Sequence, residues 1–318
     1  MTKTRPGQSC HSISVIIPVY KTSASLEKTL LSIAAQQSCG RAVTIVVAND
    51  GANAAVTEVC RRYGVLMVAI EPRRGSYFAR NRALERASGE LIVFLDSGIT
   101  LPEDWLIQAI STLGTADYLA CQIDIAEVPR PTAAEAYEKK NSYPISEYLR
   151  TFHFGVTGGL LVRRRLLEVI GGFDQRLHSG GDLEFGNRVF HASFKQVYLD
   201  DPVLLHQPRK AMAFYRKQFR VKIGHGQLAR LYPGRFPVKT LRLAFFGLAR
   251  ALLPPRPASL VTSFAKAYSV PAWRRFFFLW ILKICKASAD LLAAIVITPR
   301  LPRKQVQIEW QHFANHGS

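Results

Sequence analysis

Leu91-Ile92-Val93-Phe94-Leu95-Asp96-Ser97-Gly98 decides how the rest of the chain is read. Five successive apolar residues, with Gly89 before and Ser97-Gly98 after, predict a short strand covered on both faces, as in parallel sheets. The strand ends on a carboxylate, Asp96. Ligands of open α/β sheets gather outside the carboxyl ends of parallel strands, which places Asp96 at the rim of a cleft. A lone aspartate after a strand is equally a turn former, so the neighbouring segments carry the decision.

Upstream, Ser12 to Val19 is a β-rich run closing at Pro18-Val19-Tyr20. Val43 to Ala48 is a second run, ending in Asn49-Asp50-Gly51, and Val65 to Ile70 a third. Between them lie helical patterns. One opens at Thr22, Ser23 and Ser25 and continues to about Gln37, with Leu26, Leu30, Ile33 and Ala34 on one face. Others cover Ala55 to Tyr63 and Ser76 to Ala87. Downstream, Thr100-x-x-Glu103 reads as a capping box that opens a helix through Trp105, Ile107 and Ile110. Strand and helix alternating in units of about 25–30 residues predict a mostly parallel, helix-flanked α/β sheet. Asp50 and Asp96 then share one rim, beside Pro18 and Tyr20.

A chain of 318 residues accommodates one large domain with an appendage, or two domains. Its formal charge of +19 calls for an anionic partner such as nucleic acid, acidic lipid or a phosphorylated substrate. Five cysteines without a short Cys-x-x-Cys spacing argue against a zinc site or a disulfide framework and fit a reducing compartment. The polar opening, Met1 to Gly7, gives no sign of a signal peptide.

Several segments, in this order, resemble the inverting family 2 glycosyltransferases of the GT-A (Rossmann-like) fold, non-processive and bacterial in type. They are Ile16-Ile17-Pro18-Val19-Tyr20, Val47-Ala48-Asn49-Asp50-Gly51, Ala79-Arg80-Asn81-Arg82-Ala83, Phe94-Leu95-Asp96-Ser97-Gly98, Thr157-Gly158-Gly159, Gly171-Gly172-Phe173-Asp174, Gly181-Asp182-Leu183-Glu184-Phe185 and Leu204-Leu205-His206. The likeness spans roughly residues 12 to 235. It implies a nucleotide-sugar donor, with a uridine diphosphate sugar the family-level expectation and guanosine or thymidine donors the alternatives. Pro18, Tyr20, Asp50, Arg80, Asp96 and Ser97 would line the donor site. Asp96 and His206 would hold a divalent cation, manganese or magnesium, and Asp182 would be the general base.

Three positions depart from the pattern. Gly98 replaces the second acid of Asp-x-Asp, Gly181 replaces the glutamate of Glu-Asp, and Lys21 stands where asparagine is common. The first puts the metal in question, because arginines or lysines can also neutralise a leaving diphosphate. A metal bound to diphosphate takes only one or two protein carboxylates, so Asp96 with His206 would suffice. Arg80 and Arg209 are the candidate cations. Asp182 also reads as a helix N-cap, with Glu184 the reserve base, and His206 also reads as a polar strand end. A helix N-terminus would keep Asp182 ionised. No Gln-x-x-Arg-Trp segment of processive synthases is present. The nearest is Arg216-Lys217-Gln218-Phe219-Arg220, so one sugar per encounter is expected.

The texture changes after Pro237, and the expected division is a catalytic domain over 1–236 and a helical extension over 237–318. Leu241 to Leu253 is apolar with Lys239, Arg242 and Arg250 on one face. Pro254-Pro255-Arg256-Pro257 interrupts it, and Phe276 to Ile297 forms a longer apolar run carrying Lys283, Lys286 and Asp290. The longer run matches a membrane span in length, but each charge at mid-bilayer costs on the order of 3 kcal/mol. Amphipathic helices lying in the membrane plane account for the cations and for Trp273 and Trp280; helices packed on the catalytic domain are the plainer alternative. The expected setting is the cytoplasmic face of the inner or plasma membrane, with polysaccharide assembly on a saccharide or lipid-linked acceptor. An anionic membrane surface is then the partner and no nucleic acid is expected. Rival readings are a basic nucleic-acid-binding protein, for which this chain lacks an aromatic-interleaved module, a nucleotidyltransferase, for which it lacks the glycine-rich turn after the first strand, and a non-catalytic scaffold.

Overall fold

A computed structural model describes residues 12–36, 41–141, 143–236, 239–255 and 270–297. Its sheet has eight strands: β1 (Ile13–Val19), β2 (Val43–Asp50), β3 (Leu66–Ile70), β4 (Leu91–Leu95), β5 (Ile99–Thr100), β6 (Tyr118–Ile125), β7 (Gly159–Arg163) and β8 (Gln196–His206). They lie in the order β3-β2-β1-β4-β7-β6-β8-β5. The half from β3 to β4 is parallel, as expected. Beyond it the sheet is mixed, because β7 runs antiparallel to both β4 and β6.

Every residue of β4 is buried, which is what an uninterrupted apolar run requires when helices cover both faces. The helices of this half are α1 (Ser23–Ala34), α2 (Ala54–Arg62), α3 (Ser76–Leu84) and α4 (Trp105–Leu113). Leu26, Leu30 and Ile33 of α1 and Trp105 and Leu106 of α4 join Val15, Ile17, Val93 and Leu95 in one core. The capping box expected at Thr100 does not form. Thr100 is taken up by β5, paired to Leu205, and α4 starts only at Trp105. Gln37, Pro237, the Pro254–Pro257 break beyond Pro255, and two of the cysteines (Cys10, Cys39) lie outside the described residues.

Contacts divide the chain into two compact units. The first takes residues 1–126, 142–176 and 181–207; the second takes 127–141, 177–180 and 208–318. Besides the sheet and α1–α4, the first contains α6 (Ile145–Phe152), α7 (Arg164–Ile170) and α8 (Gly181–His191). The second contains α5 (Ala133–Lys140), α9 (Ala211–Leu231), α10 (Leu241–Leu252) and α11 (Ala272–Ile297). Thus α9, which precedes residue 237 in sequence, packs with α11 and α5.

Within the second unit Tyr137, Phe214 and Phe278 form an aromatic core with ring centroids 5.5 to 5.8 Å apart. Glu138 is buried there between Arg209 (2.6 Å) and Lys217 (3.2 Å). Arg209, expected beside a diphosphate, is instead paired with this carboxylate.

Candidate functional site

The acidic ends of β2 and β4 flank β1, so Asp50 and Asp96 stand on either side of it on the same rim. The register puts Tyr20 beside Asp50 and Pro18 beside Asp96. Asp50 is buried, and its two oxygens accept the backbone N–H groups of Arg74 (2.7 Å) and Gly75 (2.9 Å). These are the residues that lead into α3, so Asp50 fixes the entry of that helix. Neighbouring Asn49 does the same for the next turn, accepting from the Asn53 N–H and donating to the Asn53 carbonyl.

Tyr20 is exposed, and the Arg73 guanidinium lies 4.0 Å from its ring centroid. Lys21 follows with φ of +58°. Asparagine enters that left-handed region more readily than most residues, which accounts for the type otherwise common at this position.

Asp96 emerges from β4 with its side chain 43% exposed and is ion-paired with Arg80 of α3, which is only 3% exposed. Arg80 Nε is buried without a hydrogen-bond partner beside this carboxylate. Ser97 Oγ lies 3.1 Å from Thr22 Oγ1. Gly98 has φ of +100° and donates its N–H to Thr29 of α1, whose hydroxyl in turn donates to the Ile99 carbonyl. The turn after Asp96 is therefore built for glycine, and an L-residue there would be strained.

Asp182 lies in the first turn of α8 and accepts a hydrogen bond from the Tyr77 hydroxyl at 3.1 Å. Burial holds its carboxyl above the ordinary carboxylate range. The Tyr77 bond and Arg80 pull the other way, and the Asp96 charge adds to the rise. Desolvation thus opposes the stabilisation of the ionised form expected from the helix N-terminus, and it is the larger effect. Asp96, Arg80, Tyr77 and Asp182 form one electrostatically coupled group.

Glu184 is fully buried and salt-bridged to Arg188 at 2.8 Å, and Arg188 also donates to the carbonyls of Ile170 and Gly172. It holds a loop and does not reach outward as a reserve base. Arg82 is exposed and pairs with Glu85.

His206 ends β8, pairs across to Ile99, and places Nδ1 2.6 Å from the Gln207 carbonyl oxygen. Among the described residues, no group of three or more His, Cys, Asp and Glu side chains is arranged to hold a metal ion. The donors fit a divalent ion only where a diphosphate supplies further ligands. Asp96 presents an exposed carboxylate, and Gly158 places no side chain against its Oδ2.

Tyr77, Arg73 and Thr29 are members of this site that the sequence does not single out. Tyr77 and Arg80 are three apart on α3, hence on one helical face. That spacing was the available signal. It does not say which face looks at Asp182.

The chain matches the Glycosyl transferase family 2 model over residues 14–171. Glycosyltransferase AglE of Haloferax volcanii is 30% identical over 235 residues, covering 72% of this chain and 75% of AglE. Among solved structures, the mannosyltransferase PcManGT from Pyrobaculum calidifontis, in complex with GDP-Man and Mn2+, superposes with a TM-score of 0.57. It is 18% identical, covering 91% of this chain and 76% of that one. TarS 1–349 of S. aureus in complex with UDP-GlcNAc superposes with a TM-score of 0.51 at 16% identity, over 91% of this chain and 92% of that one.

Proposed function

The chain belongs to glycosyl transferase family 2, and from that premise we propose that it moves one sugar from a nucleoside-diphosphate sugar to a hydroxyl acceptor with inversion. The observation that carries this reading is the convergence of Asp96 and Asp182 on the buried Arg80, with Tyr77 bonded to the second carboxylate. PcManGT binds GDP-Man and TarS binds UDP-GlcNAc, which supports a nucleotide-sugar donor here, with a uridine diphosphate sugar the first to test.

Tyr20 backed by Arg73 offers a stacking surface for the base, and Pro18 and Asp50 shape the rim around it. Ser97 and Arg80 face the diphosphate. The acceptor oxygen attacks the anomeric carbon as the bond to diphosphate breaks, and its proton passes to Asp182. A carboxylate with a raised pKa is the better proton acceptor, provided it is ionised at the working pH. When bound, a divalent cation held by Asp96 and His206 would neutralise charge on the leaving diphosphate; the Mn2+ in PcManGT supports this part of the reading.

The same proposal places the enzyme on the cytoplasmic face of the inner or plasma membrane, attached from one side and acting on a lipid-linked saccharide. The charge of +19 supports an anionic membrane surface. Among the described residues, no helix is long and apolar enough to cross a membrane.

The test is release of free nucleotide from a panel of UDP-, GDP- and dTDP-sugars, with and without manganese. Wild type should turn over one donor. Asp182→Asn and Asp96→Ala should each lower kcat at least about a hundredfold, the scale of lost general-base or electrostatic catalysis. Turnover that survives both substitutions would remove the proposed roles.

A further inference from the structure

The helices α10 and α11 pack together, and their polarity is reversed relative to a pair facing water. Lys283, Lys286 and Asp290 of α11 point inward. Asp290 pairs with Lys239 at 2.6 Å and with Lys222 of α9 at 3.6 Å. Lys283 Nζ donates to the carbonyls of Arg250 (2.8 Å) and Leu253 (3.3 Å), which end α10 without helical partners of their own. Burial, with Lys222 nearby, holds the Lys286 ammonium below the usual lysine range.

The outward positions of the same helix are apolar: Phe277, Ile281, Leu292 and Ile295 are exposed, with Trp273 at its start. On α10, Leu243, Phe245, Phe246 and Leu252 are each more than half exposed. A surface helix normally hides its apolar stripe and shows its charges. Here the sequence pattern is amphipathic, as expected, but the charged stripe is the one turned inside.

We propose that this α10–α11 face beds into one leaflet of a bilayer that carries anionic lipid. Charge selects the occupant. Residues 239–255 and 270–297 contain seven Lys and Arg and one acid, Asp290, which is already paired. Arg242, beside the Phe246 ring (5.8 Å), Arg250 and Arg274, over the Trp273 ring (5.2 Å), are exposed among the apolar side chains, where lipid phosphates would meet them. A second copy of the chain would bring these cations against their own kind. At 12 residues α10 is about 18 Å long, too short to span the hydrocarbon core, so its apolar residues are satisfied by lying in the plane.

The inference deepens the membrane location proposed above and is independent of the sugar-transfer chemistry. Its test uses the full chain with vesicles of phosphatidylcholine, alone or mixed with phosphatidylglycerol, including lipids brominated on the acyl chain. Binding should be stronger with phosphatidylglycerol. A fraction should persist in high salt, and brominated chains should quench tryptophan fluorescence, less so in Trp273→Phe. Phe245→Ser with Phe246→Ser should lower the partition coefficient about tenfold or more, as loss of two inserted rings implies. Leu243→Ser with Leu252→Ser is a second pair should the first fail to fold. Val169→Ser, an exposed apolar residue of α7, should leave binding unchanged. Binding abolished by salt without quenching would overturn insertion while leaving a membrane location by charge alone. No binding to either vesicle, together with concentration-dependent dimers in sedimentation, would overturn both.

Discussion

Tyr77 fills the space that a side chain at position 181 would need: a Cβ built on Gly181 comes within 2.7 Å of its ring. The family's glutamate is missing here, and a phenol reaches Asp182 in its place. Two consequences can be measured. Tyr77→Phe removes a donor that favours the ionised carboxylate, so the acid limb of the kcat/KM profile should move up by about one pH unit. Because Asp182 already titrates above the ordinary range, that limb lies above the usual carboxylate values even in wild type. Gly181→Glu alone should lower stability by about 1–3 kcal/mol through overpacking, and Tyr77→Ala in the same chain should restore it in urea melts. Gly181 is visible in the sequence as a departure, and so is Gly98. What compensates for the first is Tyr77, which lies 105 residues from Asp182 and is brought there only by the packing of α3 on α8. No spacing rule carries that information.

At the scale of elements, buried charge does much of the joining in the second unit. Burial alone would raise the Glu138 pKa, but Arg209 and Lys217 together hold it below the usual glutamate range. A carboxylate depressed in the folded state contributes stability above its unfolded pKa and loses it as pH falls through the folded value. Glu138→Gln should therefore destabilise the protein by about 3 kcal/mol at neutral pH. The gap to wild type should begin to narrow only as pH falls below the ordinary glutamate range, and close once it passes beneath the depressed folded value of Glu138; denaturant melts across that acid range give the answer. Element boundaries were legible where periodicity was clean, as in β4 and α2. The capping box was misplaced because Thr100 is claimed by a strand partner, while a true one at Thr132 and Glu135, heading α5, went unread. Thr100 and Thr132 carry the same local pattern. Tertiary pairing separates them.

For the whole molecule, the parallel direction of the half from β3 to β4 could be read from alternation alone, because each of its successive strands is joined to the next through a helix, although β4 then pairs with β1 and not with β3. The placement of β7 against β4 could not, since antiparallel insertion depends on which distant strand arrives to cover an edge. The division at residue 237 followed a change in composition, whereas the second unit also draws on 127–141, 177–180 and α9. A chain ending after Gln207 retains every strand, yet leaves Tyr137 without Phe214 and Phe278, and Glu138 without both of its cations. Such a truncation should be recovered mainly as aggregate in a size-exclusion run, even with the sheet sequence intact.

Biosynthesis adds a demand of its own. The short helix α5 leaves the ribosome with its aromatic and acidic residues bare, and Phe278 follows only after 140 more peptide bonds, counted from Glu138. At about 5–20 residues per second, that is a wait of roughly 7–28 seconds. During it, a nascent chain whose first strands are already complete must keep Tyr137 out of trouble until its last aromatic neighbour is made.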